Sequence, residues 1–309
     1  MKIVITGGAG FIGSNLAMAL HDEHELLVLD DFGASNSFGN WENLKGFKGK
    51  IYCSDIRYAS CFDLIDSFKP ELIYHFAAIS DSRSEDKSKL LEVNTNSFYN
   101  ILEVAKKHGA RVIFASSASV YGDLLSPAKA SSKAIPQTFY GFSKKMMENI
   151  AFSQKEVHCV ALRYFNVYGP GEFFKLHTAS MACNFALQVL KQGKLTLFEG
   201  SGEALRDFVY IDDVTTANIT AASLEPGIYN LGSGECRSFE ALADILADLL
   251  LLKGHIKKKP EKIIIPNPYK HGYQYFTQAD MSSSPFKIHH SLETGLESYL
   301  PSLLYRARA

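Results

Sequence analysis

A chain of 309 residues, 46% of them hydrophobic and 21% charged, can fill one large or two modest cores, which excludes a disordered or fibrous polymer. With 32 Lys plus Arg against 33 Asp plus Glu the formal net charge is −1, so no overall field draws the chain to a nucleic acid, and none is expected as a partner. The greasiest run, 245–252, is broken by Asp248 and falls far short of the roughly 20 apolar residues of a membrane span, so no membrane association is expected either. Met1-Lys2 leads straight into Ile3-Val4-Ile5 without an apolar leader and cleavage site, and the expected location is the cytoplasm. Cys53, Cys61, Cys159, Cys183 and Cys236 form no CxxC pair, which points to reduced, buried thiols and to no metal site.

Taken in chain order, apolar runs predict strands over 2–6, 25–30, 50–53, 72–76, 111–115 and 157–162. Helical patterns lie between them. In the clearest, 88–107, Leu91, Thr95, Phe98, Leu102 and Ala105 recur at helical spacing until His108-Gly109 stops the helix. Strand and helix alternating in this way predict an α/β fold, a doubly wound parallel sheet covered on both faces. After Tyr168-Gly169-Pro170-Gly171 the rhythm changes to longer helices and aromatic-rich loops, so a smaller, mostly C-terminal α/β lobe is expected to carry the substrate. Segments 207–214, read as a helix start, and 227–234, read as a strand, are expected to return to the sheet. The expected division is 1–167 with returning segments about 207–235, against 168–206 with 236–309.

Directly after the first strand comes Thr6-Gly7-Gly8-Ala9-Gly10-Phe11-Ile12-Gly13, followed by the helical run 14–20. Gly7 permits a tight turn, Gly10 lets backbone approach a pyrophosphate at the helix N-terminus, and Gly13 allows close packing of helix on strand. The second strand ends in Asp30, 23 residues after Gly7, where a carboxylate can accept from adenosine ribose hydroxyls. The first unit is thus a Rossmann-like dinucleotide site. Its GxxGxxG spacing resembles the extended short-chain dehydrogenase/reductase superfamily. Asp30-Asp31, with no Lys or Arg before Lys45, favours NAD, whereas the resemblance implies NADP.

Further motifs carry that resemblance. Ala115-Ser116-Ser117-Ala118-Ser119-Val120-Tyr121-Gly122 follows the fifth strand, and Tyr140-Gly141-Phe142-Ser143-Lys144 opens a helix with Tyr140 and Lys144 at i and i+4 on one face. Lys144, with an oxidised nicotinamide, is expected to lower the Tyr140 pKa from about 10 by roughly three units, about 4 kcal/mol of differential stabilisation. The resemblance implies that Ser117 bonds the reacting oxygen and that Phe11, Ile12, Asp55, Ile56, Phe76, Ala77, Ala78, Asn94 and Val167 belong to the cofactor site.

Arg163-Tyr164-Phe165-Asn166-Val167-Tyr168-Gly169-Pro170 is shared by nucleotide-sugar epimerases and dehydratases. With it stand Thr178-Ala179-Ser180-Met181, Leu197-Phe198-Glu199-Gly200-Ser201, Arg206-Asp207-Phe208-Val209-Tyr210 and Tyr273-Gln274-Tyr275-Phe276-Thr277-Gln278-Ala279-Asp280. That set resembles the ADP-L-glycero-D-manno-heptose 6-epimerases of lipopolysaccharide inner-core synthesis. The resemblance implies a small-molecule nucleotide-sugar substrate, tightly held cofactor, a homo-oligomer, and substrate contacts from Ser80, Ser117, Asn166, Ser180, Phe198, Glu199, Gly200, Ser201, Arg206 and Tyr273. Arg206 would pair with diphosphate oxygens.

The implied chemistry is transient oxidation at C6 and return of the hydride to the other face, which needs a second proton-transfer group besides Tyr140. The family's lysine aligns with Thr178, which cannot titrate, so Lys175 is expected to serve, with His177 as the alternative. Competing readings are a UDP-hexose 4-epimerase or related dehydratase using the same Ser117, Tyr140 and Lys144, and a non-catalytic NAD(P)-sensing regulator.

Overall fold

The computed structural model describes residues 1–33, 38–268 and 274–308. Each predicted apolar run becomes a strand. β1 (Lys2–Thr6), β2 (Glu25–Asp30), β3 (Lys50–Cys53), β4 (Leu72–His75), β5 (Arg111–Ser117) and β6 (Cys159–Tyr164) pair in parallel. The later strands are β7 (Asn166–Tyr168), β8 (Lys194–Phe198), β9 (Leu205–Tyr210), β10 (Gly227–Leu231), β11 (Cys236–Ser238) and β12 (Glu261–Ile265). Only β10 joins the main sheet, giving the seven-stranded order β10-β6-β5-β4-β1-β2-β3. The chain winds outward in opposite directions from β1, and the C-terminal ends of β1 and β4 open a crevice there.

Helices pack around the sheets: α1 (Phe11–Leu20), α2 (Ala59–Phe68), α3 (Lys87–Leu91), α4 (Ser97–His108), α5 (Phe139–Ser153), α6 (Met181–Gln192), α7 (Ile211–Ala221), α8 (Phe239–Leu252) and α9 (Leu292–Arg308). The alternation along β1 sorts them. Ile3 and Ile5 share a core with Leu16 of α1 and Val214 of α7, while Val4 faces Ile65 of α2, Ile101 of α4 and Met147 of α5. Each such side chain contributes about 1.5–3 kcal/mol on burial. Tyr74 and Tyr164 anchor α7 to the sheet, donating to the Asn218 carbonyl at 3.1 Å and its Oδ1 at 2.8 Å.

Three local readings are corrected. The stretch 88–107 is helical but contains a π-turn, Glu92–Asn96, which puts Val93, Asn94 and Thr95 in the interior consecutively, before Gly109 caps α4 at φ +65°. Helix α7 starts at Ile211, four residues later than read, because Phe208-Val209-Tyr210 extend β9, which pairs with β7 and β11 in a separate three-stranded sheet. The strand read over 157–162 begins at Cys159, since the amide of Val157 donates to Gln154 Oε1 at 2.8 Å in the preceding turn. The pair β12-β8 forms a further sheet, and helices α6, α8 and α9 share one core with α1, α7 and the β1 face of the main sheet. All five cysteines are free thiols, but Cys53 is exposed and Cys236 half-buried, contrary to the expectation of burial throughout. No helix among the described residues is long and apolar enough to cross a membrane.

Candidate active site

The crevice is a cavity of about 430 Å³. Its floor is the glycine loop. Gly7, at φ +68°, runs so close to β4 that a Cβ there would lie 2.6 Å from the Ala77 nitrogen, and one on Gly13 would lie 2.3 Å from the Gly7 carbonyl. A Cβ on Gly10 would meet only that carbonyl, at 3.1 Å, so the space before the first turn of α1 stays open. A pyrophosphate fits that opening, facing the positive end of α1. Gly7, Gly10, Phe11, Ile12 and Gly13 all line the cavity, as do Phe76, Ala77 and Ala78 after β4.

At the far end of β2, Asp30 and Asp31 both line the wall. Asp30 is buried because it organises the loop: Oδ2 accepts from the Ala9 amide at 2.9 Å and Oδ1 from the Phe32 amide at 2.9 Å. Burial nevertheless holds its carboxyl above the usual range. Asp55 and Ile56 complete this wall, and Asp55 is clasped by Arg57, with Nη2 at 2.6 Å from Oδ2. Asn94 is placed differently. It lies behind the wall, its Oδ1 accepting from the Ile79 amide at 2.8 Å and its Nδ2 donating to the Ile79 carbonyl at 3.1 Å, so it shapes the segment after Ala78 and does not reach the cavity.

The catalytic candidates converge. Ser117 at the end of β5, Tyr140 and Lys144 on the first turns of α5, and Lys175 from the turn 173–178 all line the cavity. Thr138 starts α5 by accepting from the Gly141 amide at 3.1 Å, which fixes the face that Tyr140 and Lys144 share. The Lys144 ammonium sits 5.9 Å from the centre of the Tyr140 ring. It is 2% exposed, and burial pushes it down to about 7. Burial also pushes the Tyr140 phenol up, partly offset by a hydrogen bond with Ser117. The expectation that Lys144 lowers the tyrosine is therefore not met by the chain alone: a desolvated amine that is half neutral near pH 7 gives little field, and further positive charge has to come from a bound cofactor.

Around the turn 173–178, Lys175 is half-buried with its ammonium 5.6 Å from the Phe11 ring centre, and burial lowers it from the usual lysine range, against the pull of Glu172. His177 points elsewhere, exposed, with Nε2 3.3 Å from Asp81 Oδ2 and its ring edge-on to Phe38. Thr178 lines the cavity but bonds back to the Lys175 carbonyl at 2.8 Å. Ser80, Asn166, Val167 and Ser180 line the cavity. Phe198, Glu199, Gly200 and Ser201 do not: Phe198 ends β8, the other three form the turn after it, and the Ser201 carbonyl accepts from the Glu240 amide at 3.3 Å. Arg206 lies behind the wall too, its guanidinium 5.4 Å over the ring of Phe239, which does line the cavity. Tyr273 falls outside the described residues. Sequence reasoning missed Phe38, Ser54, Phe208 and Phe239 as cavity residues.

Residues 3–232 match the NAD dependent epimerase/dehydratase family. The chain belongs to that family. Among relatives of this epimerase/dehydratase chain, the ADP-L-glycero-D-manno-heptose-6-epimerase of Brachyspira hyodysenteriae is 32% identical, over 96% of each chain. In the solved structures, the ADP-L-glycero-D-manno-heptose-6-epimerase of Helicobacter pylori matches with a TM-score of 0.88 at 36% identity, covering 98% of this chain and 96% of that one. The UDP-glucose 4-epimerase of Thermotoga maritima, solved with UDP-glucose, matches at 0.85 and 26% over the full length of both.

Proposed function

We propose that this epimerase inverts C6 of an ADP-manno-heptose through a 6-keto sugar, using Tyr140 and Lys175 as its two proton-transfer groups. The observation that carries the reading is that one cavity holds Ser117, Tyr140 and Lys144 from the sheet side and Lys175 from the turn before α6. Inversion requires proton transfer while hydride leaves one face and returns to the other, and a single tyrosine serves one orientation of the sugar. The heptose follows from the two heptose epimerases that share about a third of their residues with this chain.

A nicotinamide dinucleotide bound along the glycine loop supplies reversible hydride acceptance. Ser117 donates to the sugar oxygen and orients it toward the Tyr140 phenol. Protonated Lys144 favours the phenolate, and Tyr140 takes or returns the hydroxyl proton. In the second orientation Lys175, already lowered by burial, does the same. The cofactor we assign is NAD. Asp30 and Asp31 line the wall where a 2′-phosphate would sit, and the sequence offers no cation between Asp31 and Lys45. As the resemblance implies, we place the enzyme in the cytoplasm as a homo-oligomer that keeps its cofactor, making a precursor for the lipopolysaccharide inner core.

The test is to incubate purified protein with ADP-D-glycero-β-D-manno-heptose, follow C6 configuration by NMR, and compare Tyr140→Phe, Lys175→Met and His177→Asn. We expect turnover in the wild type and in His177→Asn, and losses of about 100-fold or more in the other two. Full activity in Lys175→Met, or loss in His177→Asn alone, would refute the assignment.

A further inference from the structure

Glu172 is fully buried, three residues before Lys175, and the chemistry above gives it no task. Its carboxylate accepts three hydrogen bonds: from the Gly169 amide to Oε1 at 3.0 Å, from the Ser180 hydroxyl to Oε1 at 2.9 Å, and from the Ser180 amide to Oε2 at 2.5 Å. Gly169 and Ser180 are the two stems of the segment that carries Lys175, so one side chain ties both. The segment needs such a tie. Leu176 is held at φ +50°, ψ −122°, a strained conformation for a leucine that persists only where its surroundings enforce it. The turn's own bonds are few: the Lys175 amide to the Glu172 carbonyl at 2.9 Å, the Ala179 amide to the Leu176 carbonyl at 3.1 Å and the Thr178 hydroxyl to the Lys175 carbonyl at 2.8 Å. From outside, Tyr299 of α9 stacks on Phe173 at 5.8 Å and Arg306 lies over Phe174 at 5.6 Å.

We propose that Glu172 is a positioning residue for epimerisation: by stapling Gly169 to Ser180 it fixes the turn that presents Lys175 to the cavity. The inference rests on the reading of Lys175 as the second proton-transfer group. It requires a carboxylate, because each oxygen receives a backbone N–H. An amide in either orientation would set its NH₂ against one of those donors. The Ser180 hydroxyl, which also accepts from the Cys183 amide at 3.2 Å at the start of α6, could turn to accept from such an NH₂, but the backbone amides of Gly169 and Ser180 can only donate.

The experiment compares Glu172→Gln, Glu172→Asp and Lys175→Met as cofactor-loaded enzymes. Each is given ADP-D-glycero-β-D-manno-heptose or its C6 epimer in a single turnover, and reduction of the bound nicotinamide is followed by its near-ultraviolet absorbance. Lys175→Met is expected to slow reduction by one epimer. Glu172→Gln should slow reduction by the same epimer about tenfold or more, leave the other within about twofold, and keep KM within about threefold. Equal losses with both epimers, or wild-type rates with both at a lowered melting temperature, would make Glu172 a plain helix cap and overturn the proposal. If Glu172→Gln does not fold, Glu172→Asp keeps the charge beside α6 but is too short to reach both stems. It should show the same one-sided loss, and wild-type rates in it would overturn the proposal. Lys175→Met that leaves both epimers untouched would instead remove the reading of Lys175 on which this one rests.

Discussion

Lys144 is a buried ammonium with no carboxylate within 4.0 Å among the described residues, and that makes it a liability to the cofactor-free fold. Its pKa falls from 10.5 to about 7 on folding, so the unfolded chain holds more proton than the native one at every pH between those values. Stability therefore rises with pH across that window, and the penalty is fully present below about 7. The shift corresponds to about 5 kcal/mol at pH 6 and about 3 kcal/mol at pH 8.5, at about 1.4 kcal/mol per unit. Lys144→Met, which keeps most of the volume and loses the charge, should then stabilise the stripped protein by up to those amounts while abolishing epimerisation. Urea unfolding of stripped wild type and variant at both pH values measures the difference directly. A variant no more stable than wild type at pH 6, or a difference that does not shrink toward pH 8.5, would refute the desolvation argument.

Two further outcomes follow from other charges. Glu148 and Arg163 form a pair 1% and 2% exposed, with Nη2 2.7 Å from Oε2, and Ser116 donates to the same carboxylate at 2.7 Å; Glu148→Ala should cost about 3–5 kcal/mol by urea unfolding, and a loss under about 1 kcal/mol would contradict it. Calorimetric titration of stripped protein should show NAD bound at least about tenfold more tightly than NADP, with Asp31→Asn narrowing the gap; tighter binding of NADP would refute the role given to Asp30 and Asp31.

The main sheet was legible because each of its strands is a local apolar run, and the glycine loop because the close approaches at Gly7 and Gly13 admit no side chain. Tyr140 and Lys144 were legible for a related reason: helical spacing alone puts them on one face. The turn 173–178 is different. Which of Lys175, His177 and Thr178 enters the cavity depends on the left-handed Leu176 and on bonds from Glu172 to Ser180, eight residues on, and no periodicity encodes either. Asn94 lies behind the wall because a π-turn rotates it inward, and Arg206 because it stacks on Phe239, a tertiary contact between distant segments. Motif resemblance identifies such residues without saying which layer of the wall they occupy.

The buried charges sort into two groups that bear on function independently of any motif. Asp207 accepts from the amides of Ser233, Gly234 and Ala279, and Asp213 from the amides of His289 and His290, so each is satisfied where it lies and each ties distant loop segments to β9 or α7. Glu148 has Arg163. The lysines of the cavity are treated otherwise: burial lowers both Lys144 and Lys175, and only Glu172 opposes it, for Lys175 alone. His75, behind the cavity, is likewise buried, its Nδ1 2.8 Å from the Thr6 hydroxyl, and burial with the nearby Lys144 drives it down to about 3. A stable fold gains nothing from desolvated amines, whereas a reaction that moves protons near neutral pH needs amines whose charge can change there. Among the described residues, the two lysines that burial lowers, Lys144 and Lys175, both face the cavity, which is the placement the proposed proton transfers require.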